Sequence, residues 1–137
     1  MKERNTIKPN YVSLVTHQLY MAFNNRILAS GTGFNYKDKD GNYYLVTNWH
    51  NVSGRNHITK ECLRGDAAIP NVISLMFRSK DVPGVCHRKN IKLYNDKNEP
   101  IWLEHPKSKE KIDVVVIPLK DELLVEYKIY SIFLVSY

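Results

Sequence analysis

Two side chains in this sequence have the chemistry for proton transfer and the surroundings to be held in place for it. His50 closes the run Tyr43-Tyr44-Leu45-Val46-Thr47-Asn48-Trp49-His50, where an aromatic and β-branched stretch gives way to Ser53-Gly54. An imidazole changes charge near neutral pH, so it can take a proton and return it within one catalytic cycle. Asp113 opens the run Asp113-Val114-Val115-Val116-Ile117-Pro118-Leu119. A carboxylate at the head of so apolar a strand is costly unless it is paired or hydrogen-bonded. His50 is the partner this placement predicts. A carboxylate on the imidazole Nδ1–H would fix the tautomer and leave Nε2 free as a general base.

The remaining histidines fit this role less well. His57 competes for it, but Gly54-Arg55-Asn56-His57 reads as a polar loop that exposes the ring to solvent. His17 reads as a surface or core-edge histidine, and His87 and His105 as loop residues. Pro106 holds His105 in an extended or turn conformation. No HxH or HxxxH pattern and no acidic cluster accompanies them, so no metal and no cofactor is expected. Cys62 and Cys86 belong to no CxxC pair, which argues against zinc. In a cytosolic chain both stay reduced, although the sequence alone leaves a disulfide between them open.

The elements that must position His50 and Asp113 are short strands. Ile27 to Phe34 reads as one, with Gly31 and Gly33 permitting a bulge or a close backbone approach. Asp40-Gly41, in the polar stretch from Lys37 to Asn42, signals a hairpin, and Tyr43 to Thr47 is its returning strand. Val72 to Phe77, Arg88 to Tyr94, Ile101 to Glu104 and Ile112 to Leu119 read as further strands. Val82-Pro83-Gly84 and Asn95-Asp96-Lys97-Asn98 provide turns, and residues 54 to 70 read as loop. The apolar tail from Glu122 to Tyr137 suggests a strand or two. Residues 11 to 23 carry an approximately helical apolar stripe, so 1–25 is expected to be an N-terminal segment, partly helical, ahead of a β-domain over 26–137. Many short strands with regular turn signals indicate an all-β barrel or sandwich.

With 137 residues, 43% of them apolar, the chain is sized for one domain with its own core. No run of about 18 apolar residues is present, so no membrane helix is expected. The N-terminus lacks a secretory pattern, which points to the cytoplasm. A net charge of +6 permits acidic partners. The basic residues are nevertheless scattered. His87-Arg88-Lys89 with Lys92, and Lys107 to Lys111, read as solvated loops without interleaved aromatics, so nucleic acid is not the expected partner.

The sequence around both candidate residues resembles the trypsin-like, chymotrypsin-fold serine peptidases, especially bacterial trypsin-like peptidase domains. Gly31-Thr32-Gly33-Phe34 is similar to that family's Gly-Ser/Thr-Gly-Phe strand, and Thr47-Asn48-Trp49-His50 to its Thr-x-x-His. Asp113-Val114-Val115-Val116-Ile117 is similar to its Asp-bearing strand. Leu93-Tyr94-Asn95-Asp96 and Pro100 to Pro106 add to the likeness, which spans about residues 27 to 119. The resemblance implies an antiparallel, six-stranded-type Greek-key barrel forming the N-terminal half of a double-barrel hydrolase. It implies His50 as general base, Asp113 as its orienter, and a protein or peptide as substrate. Secreted members often place a cysteine after the histidine; here Asn51 follows, in keeping with a reducing compartment.

One part of the machinery is missing. The family's nucleophile lies in Gly-x-Ser-Gly, well beyond the aspartate. Ser30 and Ser53 lack a glycine two places earlier, and Ser131 and Ser136 sit in an apolar tail with no glycine to build an oxyanion hole. The chain is therefore expected to be a fragment or truncated relative of such a peptidase, inactive alone. The competing expectation is a non-catalytic β-barrel module that binds protein or nucleic acid.

Overall fold

The computed structural model describes residues 11–106 and 112–133. Nine strands and three short helices follow in the order α1 (Tyr11–Val15), β1 (Thr16–Phe23), β2 (Arg26–Lys37), β3 (Tyr43–Thr47), α2 (Trp49–Ser53), β4 (Val72–Ser79), β5 (Cys86–Lys92), β6 (Leu103–Glu104), β7 (Val115–Pro118), α3 (Asp121–Glu126), β8 (Tyr127–Lys128) and β9 (Ile132–Phe133). The fold is all-β, and its pairings are antiparallel except for the short β2–β9 pair. The main path runs β5-β4-β1-β2-β3-β7-β6 as an open sheet, with β8 on β4 and β9 on β2. A hairpin joins the two ends of that path: Tyr94 bridges Pro100, and Ile101 N–H donates to Leu93 C=O at 2.9 Å.

Period-two alternation builds the core. Leu19 and Met21 point inward from β1, Leu45 from β3, Ile73, Leu75 and Phe77 from β4, and Val115 and Ile117 from β7. Removing each such side chain from water contributes about 1.5–3 kcal/mol. Leu93, Leu119, Val52 and Tyr127 complete the cluster.

The turn chemistry fits the chain reversals. Gly41 adopts φ 84°, and the Asp38 carboxylate accepts from the backbone N–H of Asp40 and Asn42 and from the Tyr44 hydroxyl. The Asn42 backbone N–H is the largest of several contacts that hold the Asp38 carboxyl below its usual range. At the second hairpin Asn98 takes φ 60° while Asn95 accepts from Lys97 and Glu99.

Three expectations require correction. The helical stripe over 11–23 yields helix only to Val15. Thr16–Phe23 is a strand that pairs with both β2 and β4, so it belongs to the sheet that the sequence reading began at residue 26. The run Leu19-Tyr20-Met21-Ala22 fits either period, and the long neighbouring β2 settles the choice by offering a full ladder of partners. The tail contains a helical turn, α3, before its two short strands. His87 lies on β5 and not in a loop, ahead of Arg88 and Lys89 in the strand expected from Arg88 onwards. The Lys107–Lys111 stretch and Ser136 fall outside the described residues, as do residues 1–10 of the N-terminal segment.

Candidate active site

The local fold brings His50 back over the sheet immediately after β3. Asn48 is extended at φ −78° and ψ 145°, and the chain then turns into α2, so His50 sits in a helical turn and not at the end of the strand. Gly54 closes that turn at φ 66°, its N–H bonded to His50 C=O at 3.0 Å. A β-carbon at Gly54 would lie 2.9 Å from the Pro70 ring, so this left-handed position suits glycine on both counts.

The two glycines of Gly31-Thr32-Gly33 make room for the turn and for β3. A β-carbon on Gly31 would stand 2.7 Å from Asn51 Nδ2, and one on Gly33 2.9 Å from Val46 C=O. The close approach that these glycines suggested in the sequence is therefore present. Asn51, buried in α2, donates to Thr47 Oγ1 at 2.9 Å, and Thr47 donates to Thr32 C=O at 2.9 Å. This relay fastens α2 to β3 and β2.

Asp113 lies just ahead of β7, whose register pairs Val115 with Thr47. It therefore arrives beside the start of α2. His50 Nδ1 lies 2.6 Å from Asp113 Oδ2, and His50 N–H donates to Asp113 Oδ1 at 2.9 Å. The carboxylate takes a backbone N–H that a helical first turn leaves without an internal partner. Asn48 Nδ2 also donates to Asp113 C=O at 3.0 Å. Gripped at ring and backbone, His50 has a fixed orientation. With Nδ1–H donating to the carboxylate, Nε2 holds the lone pair. The His50 side chain is 39% exposed and that of Asp113 19%, so solvent reaches the imidazole while the carboxylate is largely covered.

His57, expected to be solvent-exposed, is brought to the same carboxylate, with its Nδ1 3.8 Å from Asp113 Oδ2. Asn56 Oδ1 accepts from Ile58 and Thr59 N–H, and Asn56 N–H bonds Glu61 C=O. This tight turn aims His57 inward, and no local spacing in the sequence announces it. Glu104 was also missed. Its Oε1 accepts from the indoles of Trp49 and Trp102 at 2.9 and 3.0 Å, bracing the residue next to His50.

Leu28, Leu63, Ala68 and Pro70 line an apolar cleft of about 180 Å³ beside His50. Ser30 borders it, but no hydrogen bond joins Ser30 to His50. Cys62 and Cys86 are free thiols. Among the described residues no group of three or more His, Cys, Asp or Glu could hold a metal ion, and no helix is long and apolar enough to cross a membrane.

No protein-family profile, curated protein or solved structure matches the chain.

Proposed function

We propose that this chain is the base-and-orienter half of a trypsin-like serine endopeptidase, with His50 as general base and Asp113 as its orienter. The observation that supports this reading best is the doubly held imidazole, Nδ1 on Asp113 Oδ2 at 2.6 Å and backbone N–H on Oδ1 at 2.9 Å. In the complete enzyme His50 Nε2 removes the proton from a serine hydroxyl as it attacks the scissile carbonyl. The imidazolium then donates that proton to the departing amine, and Asp113 stabilises the transient charge without becoming protonated. On this reading the serine and the oxyanion donors would have to come from sequence beyond these residues or from another chain. The apolar cleft beside His50 suits an uncharged side chain flanking the scissile bond of a peptide substrate.

The finer architecture belongs to the same proposal. The Tyr94–Pro100 bridge and the Leu93–Ile101 hydrogen bond link the two ends of the sheet, which supports closure into a Greek-key barrel. Two free thiols support a reducing, cytoplasmic setting.

The test uses the full reading frame of the gene. A fluorophosphonate should label one serine of the complete protein, and His50→Ala should abolish that labelling. Undiminished labelling of the variant would remove His50 from the mechanism. A gene with no serine in a Gly-x-Ser-Gly context downstream would leave a binding module as the reading.

A further inference from the structure

A second concave site lies away from His50, where β1 and β4 separate. The two strands pair only from Tyr20↔Ser74 to Ala22↔Val72. Before that point Thr16 to Leu19 pull away from Leu75 to Arg78, opening a cleft of about 240 Å³. Its floor contains the His17–Asn35 pair, Nε2 to Nδ2 at 2.7 Å, with the Met76 backbone close to the His17 ring. Burial lowers the His17 pKa, and the positive charge of Arg78 pushes in the same direction. The floor is thus polar, with the His17 ring biased towards its neutral form.

The walls carry three cations, Arg78, Arg88 and Lys128. Register places them on one face: Arg78 is directly opposite Lys128, and Arg88 is opposite Met76, two residues before Arg78. Like charges directly opposed across an antiparallel pair are destabilising. Among the described residues no carboxylate forms an ion pair with any of the three, and no acidic residue lines the cleft. Arg88 stacks 5.0 Å from the centre of the Tyr20 ring and donates to Ser74 Oγ, and Lys128 lies 5.1 Å from that of Tyr130, so two of the cations are held against the walls. The sequence reading counted Arg88 among solvated loop charges and did not connect it with Arg78 or Lys128.

We propose that this cleft binds the phosphoryl group of a phosphate monoester. A dianion would offset the opposed Arg78 and Lys128 charges. Arg guanidinium presents a fork that matches phosphate oxygens, and lysine supplies a point charge. At roughly 30 Å³ per water-sized group the cleft has room for about eight such groups, enough for the phosphoryl group and part of a small alcohol portion whose remainder lies at the open mouth, and not for a polymer. The site lies outside the peptidase reading and does not depend on it.

The experiment titrates the full chain with ribose 5-phosphate, inorganic phosphate and unphosphorylated ribose, read by calorimetry and by the His17 ring resonances. Saturable binding of the monoester is expected, with none for ribose, and inorganic phosphate separates a free-anion source from an ester by its relative affinity. Either phosphate source binding at the cleft supports the site. Bound anion should also raise the His17 titration midpoint by screening Arg78. Arg78→Gln and Lys128→Gln, both at exposed positions outside the core, should each weaken binding about tenfold or more. No saturable binding, unchanged affinity in both variants, a stationary His17 midpoint, or preferential capture of a single-stranded oligonucleotide or an acidic peptide would each overturn the proposal.

Discussion

His50 and Asp113, 63 residues apart in the chain, meet through two hydrogen bonds, one from the imidazole and one from the backbone of the same histidine. The second bond makes the pair more than a side-chain encounter, because Asp113 also completes the turn that carries the ring.

Asp113→Asn should therefore act twice. The amide nitrogen cannot accept from Nδ1–H, so the ring either turns or changes tautomer. Nitrogen-15 NMR should report a shift of the His50 proton from Nδ1 to Nε2, together with a loss of about 1–3 kcal/mol in denaturant unfolding. On the peptidase reading proposed above, turnover should fall by roughly 10⁴, the order known for this substitution in serine peptidases. His57→Gln should leave the Nδ1–H signal of His50 in place, since His57 approaches the carboxylate only to 3.8 Å.

Gly31→Ala tests the seat of α2. The new methyl would stand 2.7 Å from the buried Asn51 amide, which is already committed to Thr47. Overpacking of this kind costs about 1–3 kcal/mol. Gly65→Ala, where nothing lies within 4 Å, is the control and should cost far less. Equal midpoints in chemical denaturation for the two variants would refute the relay through Asn51.

Glu104→Ala should strand the indole N–H groups of Trp49 and Trp102 together. A loss of about 1 kcal/mol or more is expected, with a red shift in tryptophan emission. Glu104→Gln retains an acceptor oxygen and should stay close to the parent protein in both measurements.

The Asp38 hairpin sets a pH dependence whose sign follows from its lowered carboxyl pKa. Backbone N–H of Asn42 is the leading cause. The folded protein then binds this proton less readily than the unfolded chain does, whose value is near 3.8. Its stabilisation is complete above that value and is lost as pH falls through the folded pKa. Melting temperature measured from pH 6 downwards should drop less steeply for Asp38→Asn than for the parent; parallel curves would show that the turn does not contribute.

Local order was readable from the residues themselves. The strand Tyr43–Thr47 coincides with its aromatic and β-branched run, Asp40-Gly41 gives the hairpin, and Asn95 to Asn98 gives the next one, because turn and strand preferences act within a few bonds. Residues 16–23 were not readable in this way. Their apolar spacing satisfies helix and strand alike, and only pairing with β2 and β4 chooses between them. The candidate pair was legible in part: an aspartate ahead of a valine-rich strand implied a partner, and His50 was the partner inferred.

The sequence by itself determined the strands other than Thr16–Phe23, their turns and the chemical character of His50 and Asp113, since these follow from side-chain type and short-range spacing. The tertiary structure alone decided that His57 and Glu104 stand beside that pair, and that Arg78, Arg88 and Lys128 share one face. Those neighbours depend on register between distant strands, and register is set by the summed packing of the whole core.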